Sequence, residues 1–99
     1  MIFEYFKNYE LNHILTKLLS GTDTSIRCEI GFSEKLDTDC VNIYKNGQLV
    51  DTKKMEAIFE PLSVHINAKI KSYDVMEVGD DGEVFVFFLE GLHTFTNVA

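Results

Sequence analysis

The feature that most limits the fold is an uninterrupted run of six apolar residues, from Val84 to Leu89. A strand that faces water on one side alternates apolar and polar residues, and this run does not. It therefore predicts a strand over residues 83–89 with both faces covered. The sequence Gly-Asp-Asp-Gly at 79–82 predicts a turn before it, joined to a strand at residues 75–78.

A second pattern, near the N-terminus, has the period of a helix. The apolar residues at this spacing are Leu11, Ile14, Leu15, Leu18 and Leu19. Asn8 is suited to the N-cap and Gly21 to the position just after the helix. Residues 2–6 fall on a different face when this helix is extended backward. We expect them to form a separate aromatic arm that packs beside the domain.

The middle of the chain contains strand patterns. Residues 26–32 alternate apolar and polar side chains, which predicts a half-buried strand. A second strand is predicted at residues 40–44. Asn46-Gly47 is a strong signal for a two-residue hairpin turn, which leads into a strand at Leu49 and Val50.

Residues 52–73 fit two structures. Seven apolar residues from Met55 to Tyr73 share one helical stripe, whereas residues 62–70 also alternate as a strand would. The helical pattern covers more residues, so we favour a helix, either kinked at Pro61 or restarted there. Whether residues 61–71 are helix or strand stays open.

Together these elements predict one compact α+β domain over residues 1–99, in the order α-β-β-β-α-β-β. Short turns join the strands, so we expect an antiparallel sheet of about five strands with two helices packed on it. The tail from Leu92 to Ala99 is a candidate for a further short edge strand. The length of 99 residues suits one domain and not two.

The net charge is −7, from 16 acidic and nine basic residues. A negative surface repels nucleic acid and anionic membranes and attracts cationic partners. No basic segment leads into an apolar stretch with a cleavage site, and no apolar run approaches a membrane span. With two cysteines and no disulfide framework, we expect a cytoplasmic protein.

The residues that most often carry chemistry form no recognisable motif. His13, His65 and His93 lack metal-ligand spacing, although Cys28 and Cys40 could still meet a histidine in three dimensions to bind zinc. Cys28 is in phase with core residues, and Asp37 and Asp39 disfavour a reactive Cys40 thiolate. The Asp37-Thr38-Asp39 start of a calcium loop is not continued, and no phosphate-binding loop or nucleophile elbow is present. We expect no enzyme activity, cofactor or metal.

The acidic residues are unevenly distributed. Residues 72–99 contain six carboxylates and no lysine or arginine, and Asp37 and Asp39 belong to a second acidic group. We expect these carboxylates to bind a basic protein, with Tyr73 or Tyr44 as an aromatic anchor unless those rings are simply buried. The predicted partner-binding residues are Asp74, Glu77, Asp80, Asp81, Glu83, Asp37, Asp39 and Tyr73.

Small size, acidity and the absence of catalytic motifs favour a protein-binding inhibitor. The leading hypothesis is an immunity protein, or antitoxin, that neutralises a cationic toxin such as a nuclease by covering its active site. One alternative is a phage-type inhibitor that imitates nucleic acid and blocks a host defence enzyme. Others are a homo-oligomeric regulatory module that associates through a sheet edge and a small enzyme with a dispersed site. The oligomeric state stays open.

Overall fold

The computed structural model describes residues 2–90, except for the side chain of Asp81. Two 3-10 helices, Met55–Ile58 and Gly79–Asp81, accompany the main elements. In chain order these are β1 (Ile2–Lys7), α1 (Asn8–Ser20), β2 (Ile26–Ser33), β3 (Thr38–Lys45), β4 (Gln48–Lys54), α2 (Phe59–Ile66), β5 (Ile70–Glu77) and β6 (Glu83–Leu89). The predicted α+β class is confirmed. The tail predicted as an edge strand, Leu92–Ala99, lies outside the described residues.

The described strands form two three-stranded antiparallel sheets, in the orders β1-β6-β5 and β2-β3-β4. The prediction of a single sheet with about five strands is wrong, because the six described strands divide into two sheets. The predicted element order is also wrong at its start, because the first element is a strand and not a helix. The chain divides into two compact units, which we call the terminal unit (residues 1–8 and 59–99) and the central unit (residues 9–58). Whether they act as one domain stays a prediction.

In the terminal unit, β6 lies between β1 and β5, which explains its unbroken apolar sequence. Four consecutive residues, 84–87, are buried, and so is Leu89. The Phe87 ring has edge contacts with Phe6 and Phe59, at centroid distances of 6.0 and 6.2 Å. Val84 and Val86 are buried on one face and Phe85 and Phe87 on the other, so the predicted strand at residues 83–89 is confirmed.

The predicted aromatic arm at residues 2–6 is instead part of strand β1. It pairs antiparallel with β6 along its whole length, from Ile2 opposite Leu89 to Lys7 opposite Val84. The apolar residues at 2–6 do not continue the helical spacing of α1, and the structure confirms that they lie outside this helix. Pairing with a strand more than 75 positions later in the sequence is not visible in a local pattern, which is why the strand was missed.

Helix α2 ends at Ile66, so the prediction of helix through Tyr73 is wrong. Asn67 adopts a left-handed conformation with φ of 56° and donates its N–H to the Val64 carbonyl. Ala68 donates to the Ser63 carbonyl at 3.0 Å, which completes a Schellman motif. The Ser63 hydroxyl then accepts the N–H of Ile70, where β5 begins, at 3.0 Å. In the sequence, Asn67 was the residue that signalled the end of helix α2.

In the central unit, α1 begins at Asn8 and ends at Ser20, as predicted, with Leu11 and Leu15 fully buried. The turn at Asn46 and Gly47 has φ of 52° and 80°, the two positive values that a type I′ hairpin turn requires. It joins β3 to β4 with Lys45 opposite Gln48. The predicted hairpin is confirmed.

Side chains of α1 bind the outer edge of β2. Asn12 accepts the N–H of Ile30 at 2.8 Å, and the Thr16 hydroxyl accepts the N–H of Cys28 at 2.9 Å. The same hydroxyl lies 3.3 Å from the Cys28 carbonyl. These bonds satisfy backbone groups that an edge strand would otherwise leave open.

Candidate protein-binding site

Five of the predicted partner-binding residues lie on the hairpin formed by β5 and β6. We call Asp74, Glu77, Asp80, Asp81 and Glu83 the acidic hairpin. Its connection is tight because Val78 donates its N–H to the Gly82 carbonyl at 2.9 Å, while Gly79 and Gly82 have positive φ values. Both glycines therefore take conformations that other residues rarely adopt. Four of the seven consecutive residues 77–83 are acidic.

Glu77 and Glu83 are directly opposite each other in the strand register. Since the next pair, Val78 and Gly82, is hydrogen-bonded, the Glu77–Glu83 pair is of the non-hydrogen-bonded kind, in which side chains approach more closely. Like charges in this arrangement are destabilising. Both side chains are exposed, which lowers that cost without removing it.

No ion pair among the described residues reaches Asp74, Glu77, Asp80 or Glu83. Ion pairs elsewhere in the described part of the chain join Arg27 to Glu29, Lys45 to Asp23, Lys53 to Asp51 and Lys69 to Glu90. None of them involves the acidic hairpin. One Asp74 oxygen accepts the N–H of Val75 at 2.8 Å, and no other bond of that carboxylate is present in the described part. The hairpin is thus a negative surface.

Tyr73, the predicted anchor, lies on the opposite face of the sheet from Asp74, because successive strand residues alternate. Its half-buried ring contacts Phe59 and Phe87 at centroid distances of 6.0 and 6.2 Å. Tyr44 is in the central unit, where the Arg27 guanidinium lies 4.7 Å from its ring centroid. Both rings have partners within their own unit, and Tyr73 shares no face with Asp74.

Asp37 and Asp39 belong to the central unit, in and after the connection between β2 and β3. Asp37 is exposed and left-handed, with φ of 54°, as turn aspartates often are. Asp39 is half-buried opposite Phe32 in the register. Asp37 is therefore in the turn and Asp39 in strand β3, and both are separate from the acidic hairpin in sequence and in fold unit.

Sequence reasoning missed an exposed set of apolar side chains on the terminal sheet. Phe3, Tyr5 and Met76 are 53%, 60% and 53% exposed, and they lie on the face that also carries Asp74. We call this the aromatic face. The sequence signal for this face was the spacing of the aromatic residues at positions 3 and 5 in Ile2–Lys7. In a strand, residues two positions apart lie on the same side, so both rings share one face.

The described residues show no metal centre and no activated nucleophile. No three histidine, cysteine or acidic side chains among residues 2–90 are grouped to hold a metal ion. The strand register places Cys28 opposite Ile43 and Cys40 opposite Gly31, so the two buried thiols lie on opposite sheet faces. Burial raises the pKa of both thiols, and the Asp39 charge raises that of Cys40 further. Of the histidines, His13 is exposed and His93 lies outside the described residues.

Surface grooves are present in both units among the described residues. One, of about 410 Å³, lies between α1 and β2 in the central unit, and its Asn12 and Thr16 are already engaged with the β2 backbone. The other, of about 420 Å³, lies between α2 and β5 in the terminal unit and is lined by Phe59, Val64 and Ile70 among others. Arg27 and Glu29, which also line the first groove, form an ion pair with each other, and the second groove is lined mainly by apolar side chains.

Comparisons with known proteins match the chain to no family model, no curated protein and no solved structure. Among the described helices, none combines the length and the apolarity needed to cross a lipid bilayer.

Proposed function

We propose that the chain is a protein-binding inhibitor, an immunity protein that neutralises a cationic toxin such as a nuclease by covering its active site. The acidic hairpin is the contact surface. Its carboxylates occupy the positions where the toxin would bind phosphate groups. This binding involves no catalysis and no cofactor of the inhibitor.

The observation that carries the proposal is the directly opposed pair of Glu77 and Glu83, neither of which forms an ion pair with a described residue. Like charges across strands reduce stability, and a lysine at either position would relieve the repulsion. A cationic partner supplies the missing positive charge when it binds. The same charges accelerate its approach through long-range steering.

The experiment uses the product of the gene next to the one that encodes this chain. We expect this product to contain a toxic basic domain that stops the growth of cells producing it. Co-expression of the chain with this product should restore their growth. The variant Glu77→Lys/Asp80→Lys should abolish protection. The control Glu56→Lys/Glu60→Lys changes two exposed carboxylates, Glu56 in the central unit and Glu60 in the terminal unit, and produces the same net charge. It should protect normally.

Binding kinetics then test the electrostatic mechanism. The association rate constant should fall about tenfold or more between low salt and 0.5 M salt, because steering is screened. Equal loss of protection in both double variants would show that total charge matters and the hairpin does not. Protection by the hairpin variant would refute the proposed contact surface. A partner that is a host defence enzyme, rather than a toxin, would favour the phage-type alternative.

A further inference from the structure

We infer that the aromatic face is the second half of the binding surface, and that it receives arginine side chains of the cationic partner. This inference rests on the proposed function and adds the chemistry of the partner's contact residues. Tyr5, rather than Tyr73, is the aromatic anchor.

The strand register arranges this face in rows across the sheet. Tyr5, Val86 and Asp74 form one row, with Val86 in the middle. Val86 is only 8% exposed and forms the apolar floor between the other two side chains. Neighbouring strands are about 4.8 Å apart, so the row places an aromatic ring and a carboxylate about 10 Å apart at the backbone.

The adjacent rows extend the apolar surface in both directions. Phe3 stands next to Tyr5 on β1, with ring centroids 6.5 Å apart, and Met76 follows Asp74 on β5. Lys7 is the basic residue that the register places on this face, in the row with Val84 and Met76. It is half-buried and lies at the end of the face nearest the turn.

Arginine fits this row better than other side chains. Its stem is apolar and can lie on Val86, while its planar guanidinium stacks on an aromatic ring and binds a carboxylate. Tyr5 supplies the ring and Asp74 supplies the carboxylate. An apolar partner would leave Asp74 without a cation, and a second copy of this chain would bring another net charge of −7 to the interface. Charge complementarity therefore selects a cationic partner.

Peptides of ten arginines and ten lysines are suitable probes, because they carry equal charge and differ in stacking. They would be titrated at low salt into the full ¹⁵N-labelled chain and followed by NMR. We expect deca-arginine to bind about two- to fivefold more tightly, the ratio for one exposed cation–π contact. The largest shifts should fall on Tyr5, Val86 and Asp74.

Three variants separate the contributions. Tyr5→Thr should remove the preference for deca-arginine, and threonine is suited to strands. The control Tyr9→Ala changes an exposed tyrosine of the central unit and should retain the preference. Glu77→Lys/Asp80→Lys should weaken both peptides equally. Far-UV circular dichroism checks that each variant is folded.

The outcomes distinguish this inference from the proposed function. If Tyr5→Thr retains the preference for arginine, or the shifts fall elsewhere, the inference is wrong while the acidic contact stands. If light scattering shows a dimer that Tyr5→Thr dissociates, a second copy covers the face and the inference is also wrong. If the hairpin variant still protects against the toxin, the proposed function itself fails.

Discussion

Reversing the charge of Glu77 or Glu83 should stabilise the protein, whereas reversing both should not. In Glu77→Lys or Glu83→Lys, an opposite-charge pair replaces a like-charge pair across the strands. In the double variant two lysines repel each other as the two glutamates did. The interaction is therefore measured as the non-additive part of a double-mutant cycle, in which effects of each lysine on strand propensity or on Asp80 cancel.

The magnitude follows from the pairing geometry. In a non-hydrogen-bonded pair the Cα atoms are about 4.5 Å apart, and the ends of two glutamate side chains can diverge to roughly 6 Å. Two unit charges at that distance in water repel by about 0.7 kcal/mol, which falls to about 0.3 kcal/mol at 0.15 M salt. Each single reversal should then stabilise by about 0.6 kcal/mol, and the coupling over the cycle should be about 1.3 kcal/mol.

Urea denaturation of the four proteins, followed by circular dichroism at pH 7, gives the free energy of unfolding for each. The coupling should shrink to about 0.4 kcal/mol in 1 M salt, where the Debye length is about 3 Å. At low salt, the two single changes in the free energy of unfolding could sum to the change in the double variant within about 0.3 kcal/mol. That result would refute the reasoning, because the two carboxylates would then not interact. The single variants should also lose partner binding, so stability and binding should change in opposite directions.

Three further predictions concern the central unit. Hydrogen bonds from Ser25 hold the pKa of Asp23 below its ordinary value of 3.8. The stability that these bonds confer should be present above that pH and should decline as the pH falls through the lowered pKa. Thermal unfolding measured from pH 5 to pH 2 should therefore depend less on pH in Asp23→Asn than in the unmodified protein. Thr16→Val should destabilise by about 1–3 kcal/mol, because the Cys28 N–H loses its acceptor, whereas Thr16→Ser should retain most of the stability; urea unfolding and amide exchange at Cys28 check this. Both Cys28 and Cys40 should react with a thiol reagent only as fast as the chain opens, and rapid reaction of either in the folded protein would contradict their burial.

Local signals in the sequence predicted the elements whose structure is decided locally. The hairpin turn at Asn46 and Gly47, the apolar stripe that buries Leu11 and Leu15, and the burial of both faces of the 83–89 strand all follow from patterns within about ten residues. Strand β1 and the division into two sheets depend on pairing between distant segments, which periodicity cannot reveal. The helix ending at Ile66 was missed because apolar phase was weighted above the stop signal of Asn67.

The candidate site was predicted in part for the same reason. Clustering of carboxylates at 74–83 is visible in the sequence, and the hairpin keeps them together on the terminal unit. The assignment of Tyr73 as anchor relied on proximity to Asp74 along the chain. In a strand, proximity by one residue places two side chains on opposite faces, so the ring that shares the Asp74 face had to come from another strand. The register places Tyr5 in the same row as Asp74, on the other side of Val86.

Protection of the sheet edges explains why Asp74 differs from the other carboxylates of the acidic hairpin. On β2 the open backbone groups are bound by Asn12 and Thr16, whereas on β5 the outward N–H of Val75 is bound by the adjacent Asp74 carboxylate. That bond hinders addition of another strand to β5, since an edge with free donors invites pairing. Removing Asp74 would therefore disturb both partner binding and resistance to aggregation. Glu77 and Asp80 have no such bond within the described chain, and Glu77→Lys is expected to stabilise the fold, so loss of protection in their double variant would not reflect unfolding.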